Sequence, residues 1–220
     1  PFEMGNKHGA HVTRTAGGRG EYIAAKPAVV KFVGDWGMAT TVPRETLVIG
    51  RKDDTWNPVG CWEAGKTPLQ GAQEWQELQA PAILANPSIL YWEGPNEPVF
   101  VTQEGMAWYA QFEIERMKLL DGIEKRAVIG NFSSGAPEVE GDKELWTPFL
   151  PACKAGVEYK AILGLHEYSC PWMWWMTGKY QLNPDEDQGD EGWTTLRYRK
   201  VYRQYLIPND CVLPLVITEC

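Results

Sequence analysis

The sequence predicts an α/β protein, a (β/α)8 TIM barrel in which strands one to seven are present and strand eight is missing. Three observations carry that reading. Short, continuously apolar runs bounded by turn residues recur along the chain, as expected of parallel strands covered on both faces. Segments with helical spacing lie between several of these runs. Polar residues able to do chemistry stand at the C-terminal ends of several different runs, where a barrel of this type builds its site.

The elements follow in order. An initial strand is expected within Glu3 to Val12. The Gly17-Gly18-Arg19-Gly20 stretch after it lacks the order of a dinucleotide fingerprint and precedes the next apolar run, so it reads as a turn. The remaining strands are expected over Ala28 to Val33, Thr46 to Ile49, Ile89 to Trp92, Ala127 to Ile129, Ala161 to Leu165 and Val212 to Ile217. Gln103 to Lys125 reads as a helix that collects Trp108, Phe112, Leu119 and Ile123 on one face. Thr194 to Leu206 collects Tyr198, Tyr202, Tyr205 and Leu206 in the same way, and its basic residues from Arg197 to Arg203 read as a solvated face. No repeat or linker divides the chain, so 1–220 is read as a single domain. The segment from Pro171 to Trp193 is a long loop after the sixth strand, and such loops are often functional.

Composition narrows the function. A net charge of −8 argues against nucleic acid as a partner, because phosphate contacts need clustered Lys and Arg. No apolar run approaches membrane-spanning length, so no membrane partner is expected. The cysteines Cys61, Cys153, Cys170, Cys211 and Cys220 form no CxxC pair and no ligand spacing with the histidines; no metal and no cofactor are expected. Their odd number leaves at least one thiol free. No signal peptide is visible, but the sequence starts at Pro1 without a methionine, which leaves room for a lost targeting segment. The chain holds 11 Trp, and Trp56, Trp62, Trp172, Trp174, Trp175 and Trp193 fall in stretches that read as loops. Indole faces presented there suit the C–H faces of sugar rings; the alternative is that they fill gaps beneath the loops.

The fourth strand run closes on Trp92-Glu93-Gly94-Pro95-Asn96-Glu97-Pro98. Pro95 and Pro98 cannot continue a ladder, so the strand ends there. Glu97 precedes a proline and is expected to be extended. The sixth run ends His166-Glu167-Tyr168, with His166 and Tyr168 on one side and Glu167 on the other. The seventh ends Ile217-Thr218-Glu219, which sets a second carboxylate at the same end of the sheet as Glu97.

These three motifs together resemble the retaining glycoside hydrolases of the large (β/α)8 clan. The resemblance implies that Glu97 is the acid/base and Glu219 the nucleophile of a hydrolase acting on O-glycosyl bonds. It implies that Asn96 bonds the sugar 2-hydroxyl and that Tyr168 donates to the nucleophile. His166, Trp172, Trp174 and Trp175 are the further substrate-binding candidates; for His166 and Tyr168 the alternative is barrel-lining packing. In a retaining mechanism one carboxylate attacks the anomeric carbon while the other protonates the leaving oxygen, and the two groups stand about 5 to 5.5 Å apart. The implied substrate is a poly- or oligosaccharide, for which an extracellular or cell-surface setting is natural; glucan, mannan, xylan and galactan all remain open. A carbohydrate-binding pseudoenzyme and a muramidase-like cell-wall hydrolase are the rival readings.

Around this centre, Glu93 lies inside its strand and reads as a structural charge paired with Arg51 at the end of the third run. Asp35, Trp36, Asp53, Asp54, His8 and His11 are further subsite candidates. A cysteine nucleophile at Cys220 or Cys170 lacks a surrounding base and oxyanion hole. The sequence ends one residue after Glu219, so the expectation is a fragment of a longer enzyme, poorly soluble or inactive when expressed alone.

Overall fold

The computed structural model describes residues 7–14, 19–168, 182 and 191–220. Seven strands are present among them: β1 (Gly9–Val12), β2 (Val29–Val33), β3 (Leu47–Arg51), β4 (Tyr91–Glu93), β5 (Arg126–Phe132), β6 (Ile162–His166) and β7 (Leu215–Glu219). All pair in parallel, each with the next in sequence, and the sheet curls into a nearly closed barrel. The helices α1 (Arg19–Ala24), α2 (Pro58–Glu63), α3 (Pro68–Ala85), α4 (Gln103–Asp121), α5 (Trp146–Glu158) and α6 (Tyr198–Val201, continued by a π turn over Tyr202–Leu206) lie between strands. Local chemistry starts several of them. Asn57 caps α2, Thr67 and Gln70 form a capping box on α3, and Thr102 accepts from the Gly105 N–H at the start of α4.

Strand periodicity sorts the apolar residues into two layers. Val29, Leu47, Ile49, Tyr91, Val128, Ile162 and Val216 form a small cluster inside the barrel. Their neighbours Val30, Val48, Trp92, Ile129, Leu163, Leu215 and Ile217 belong to the larger core under the helices. The inner rows, continued toward the C-terminal ends of the strands, reach Lys31, Arg51, Glu93 and His166. The barrel is therefore apolar at its base and charged at its mouth. On β7 a register shift pairs His166 with Glu219 rather than Thr218, and this brings Glu219 into the same charged row.

Three sequence expectations need correction. Helix α4 ends at Asp121, so Ile123 falls outside it and is 44% exposed. Of the expected face, Phe112 is buried and Trp108 and Leu119 pack against the core; the buried face also carries Tyr109, Glu113 and Arg116. Arg116 donates to Glu113 and to the Trp92 and Val128 carbonyls, tying the helix to β4 and β5. The basic stretch at α6 is a solvated face only in part: Arg199 and Arg203 are exposed, but Arg197 and Lys200 are buried, with Arg197 donating to the Pro137 and Trp193 carbonyls and Lys200 to Glu140. Among the loop tryptophans, Trp56 packs on Trp75 and Phe112, Trp62 on Phe100, and Trp193 against the main core with Arg197 over its ring. Each of these rings is half-buried against the core, as in the alternative of gap filling, and Trp62 stands on α2 rather than in a loop.

Candidate active site

The charged row at the barrel mouth brings together residues from five strands or their ends. Glu97 follows β4, His166 ends β6 and Glu219 ends β7. One ligand atom from each lies within 4.8 Å of the other two. His166 Nδ1 is 2.8 Å from Glu97 Oε1 and 3.7 Å from Glu219 Oε2. The imidazole is buried, whereas the Glu97 side chain is 35% exposed and that of Glu219 18% exposed, so both carboxyl groups face the opening.

Glu219 is the most heavily supported group in the row. Lys31 Nζ donates to its Oε1 at 2.8 Å, Arg51 Nη1 stands 3.2 Å from the same oxygen, and the Tyr168 hydroxyl donates to Oε2 at 2.8 Å. Burial alone raises the pKa of this carboxyl. The hydrogen bonds from Lys31 and Tyr168, with the charges of His166 and Lys31, outweigh burial and bring it down to about 2. The same contact acts on Tyr168 in the opposite sense: burial, and then the bond to the Glu219 carboxylate, push its phenol well above the ordinary range.

Glu93 lies deeper and is almost fully buried. The expected partner Arg51 stands 3.4 Å from its Oε2, but the closer partner is Lys31 at 2.8 Å. Lys31 thus bridges a buried carboxylate and the one at the mouth. It sits within an otherwise apolar run and reads there as one residue of a strand; the available signal was its parity, which it shares with Val29 inside the barrel. Arg51 also donates to Asn96 Oδ1 at 2.5 Å. A guanidinium can only donate, so Asn96 must present its oxygen to Arg51, which leaves the amide Nδ2 as the donor available to a ligand.

Glu97 departs from the extended conformation expected before a proline. Its φ is +45°, in the left-handed region, and its N–H donates to the Asn131 carbonyl on β5 at 3.0 Å. A non-glycine residue held there costs about 1 to 2 kcal/mol, so the surrounding contacts rather than local preference set its direction.

The flanking candidates separate into those at the mouth and those used in packing. His11 is exposed and shares a cleft of about 900 Å³ with Lys31, Tyr168, Tyr198, Glu219 and Cys220, lying between β1 and β7. His8 lines the same cleft. Glu167 points away, as its parity predicts, and accepts from the Leu196 and Tyr198 N–H groups at the start of α6. Both Asp54 oxygens are taken, by the Trp56 N–H and by Gln79. Asp53 is exposed, Asp35 accepts from the Gly37 N–H, and Trp36 packs on Trp92. Trp172, Trp174, Trp175 and Cys170 lie outside the described residues.

The close set Glu97, His166 and Glu219 is also the one group of potential metal ligands found among the described residues. Lys31 and Arg51 already compensate Glu219, so a further cation there meets two positive charges within 3.2 Å of that carboxylate. No helix of the described residues is long and apolar enough to cross a membrane. No protein-family model matches the chain, and no curated protein matches it.

Proposed function

We propose that the protein is a retaining β-glycoside hydrolase that cleaves an O-glycosyl bond of a poly- or oligosaccharide by double displacement. The single observation that carries this reading is the close approach of two strand-end carboxylates, with an oxygen of Glu97 and one of Glu219 inside a 4.8 Å set. Inverting enzymes separate their carboxyl groups by about 6.5 to 9.5 Å to admit a water, whereas retaining enzymes bring them to about 5 to 5.5 Å.

The electrostatic asymmetry supports a division of roles. Glu219, with its pKa near 2, is a ready anion for attack on the anomeric carbon. Tyr168 and Lys31 hold its two oxygens and aim it. Glu97 is more open to solvent and contacts only the His166 ring among the hydrogen bonds at the mouth, so it is the group free to give a proton to the leaving oxygen. When the Glu219 carboxylate forms the glycosyl ester, the leaving group departs with the Glu97 proton. Glu97, now a base, takes a proton from water as the water displaces Glu219. Asn96 Nδ2 supplies a donor for a sugar hydroxyl beside the reacting carbon.

The test is role separation by substitution. Glu97→Ala is expected to lose about 100-fold or more on glycosides with poor leaving groups while retaining the first step on activated aryl glycosides. Azide should restore turnover and give the β-glycosyl azide. Glu219→Ala is expected to be inactive toward both substrate types, with azide yielding the α-azide. Identical behaviour of the two variants contradicts the assignment.

A further inference from the structure

Resting on the reading of Glu97 as the acid/base, we infer that Asn131 on β5 is a positioning residue that fixes the backbone of Glu97 through a bulge in the neighbouring strand. The ladder between β5 and β6 is regular from Val128 to Gly130 and then skips a residue, so that Phe132 rather than Asn131 pairs with Leu165. Gly130 and Asn131 both have positive φ, +88° and +50°. The extra residue turns the Asn131 carbonyl out of the β5–β6 ladder and toward the segment after β4, where it accepts the Glu97 N–H at 3.0 Å. Three residues earlier the Gly94 N–H donates to the Val128 carbonyl at 3.2 Å. The Gly94 to Glu97 turn is thereby attached to β5 at both ends, and two left-handed residues, Asn131 and Glu97, face each other across one hydrogen bond.

The side chain suits this task. Asparagine tolerates the left-handed region better than other residues with a side chain. Asn131 is fully buried, and its Nδ2 donates to the Val128 carbonyl at 3.2 Å, closing the bulge on itself. Its Oδ1 occupies the space beside Gly164 on β6, where an added Cβ would stand 2.4 Å from that oxygen. Gly164 is therefore the complement of Asn131 on the next strand. An alanine at position 131 removes the Nδ2 bond and disfavours φ of +50°, whereas a glycine keeps the backbone conformation open.

The experiment follows amide hydrogen exchange at Glu97 by NMR in the wild-type chain, Asn131→Ala and Asn131→Gly, alongside turnover of glycosides with poor and with activated leaving groups. The wild-type Glu97 N–H is expected to be protected like a strand amide. In Asn131→Ala it should exchange at least tenfold faster, with turnover of poor-leaving-group substrates falling at least tenfold and activated substrates changing less than threefold. Asn131→Gly should recover most of both. A Glu97 amide that exchanges at the rate of a free loop in the wild type overturns the proposal even if the alanine variant does not fold. Unchanged exchange in a folded Asn131→Ala, or equal losses on both substrate types, also overturns it. If the wild type turns over no glycoside, the proposed function fails on its own account. The exchange data then decide whether Asn131 holds Glu97: loss in the alanine variant with recovery in the glycine variant supports it, and no such pattern overturns it.

Discussion

Lys31 shows most sharply what a single residue does at the barrel mouth. Its ammonium lies between Glu93 and Glu219, 2.8 Å from each, in a position that is 3% exposed. Removing it leaves Glu93 buried with only the longer contact to Arg51, a loss on the order of 3 kcal/mol in stability for Lys31→Met. The effect on Glu219 has a definite sign. Its folded pKa of about 2 lies below the ordinary 4.5, so its ionised form stabilises the fold above about 4.5, and that contribution is lost as pH falls toward 2. Lys31→Met should therefore raise the Glu219 carboxyl midpoint toward 4.5, read by a carbon NMR titration, and shrink the acid-side loss of stability. An unmoved midpoint contradicts the role given to Lys31. Tyr168→Phe should raise the same midpoint by a smaller step, since Lys31 contributes both a hydrogen bond and a charge where Tyr168 contributes a hydrogen bond.

At the scale of elements, α4 is held to the sheet by a buried ion pair. Glu113 Oε1 accepts from the Tyr109 hydroxyl at 2.7 Å and its Oε2 from Arg116 Nε at 2.7 Å, while Arg116 reaches two strand carbonyls. Arg116→Met should cost about 3 to 5 kcal/mol in urea denaturation, because it strands a buried carboxylate. The double change with Glu113→Leu should recover part of that loss. Equal stabilities for the single and double variants contradict the coupling. Hydrophobic periodicity made the strands legible: six of the seven apolar runs overlap β2 to β7, and Gly9–Val12 lies within the stretch expected for β1. The same signal misassigned charges inside buried elements. It treated Lys31 as one more strand residue, took Arg197 and Lys200 for a solvated face, and carried α4 on to Ile123. Lys31, Lys200 and, through the Pro137 carbonyl, Arg197 are satisfied by partners distant in sequence, which local spacing does not encode. Glu97 illustrates the same limit in the backbone, since its proline neighbour argues for an extended residue while a carbonyl on β5 holds it left-handed.

Across the whole molecule, the barrel sets the site by placing an apolar layer below and a charged row above. Among the described residues the sheet order begins at β1 and ends at β7 without pairing between them, and the cleft of about 900 Å³ lies in that interval. Strand edges left open in this way template pairing with another chain. The 220-residue polypeptide is expected to self-associate with rising concentration in sedimentation velocity, and a single monomeric boundary at all concentrations contradicts that expectation.

The proposed function requires that Glu219 attack the anomeric carbon at a site where Glu97 supplies the proton. It is tested most directly by trapping the intermediate. The protein is incubated with activated 2-deoxy-2-fluoro β-glycosides of the gluco, manno, xylo and galacto series, and the modified chain is digested and mapped by mass spectrometry. One fluoroglycosyl unit per chain is expected, carried by Glu219 and absent from Glu219→Gln. A sugar attached to another residue, or a protein that hydrolyses one of these glycoside types with inversion and forms no adduct, would contradict it.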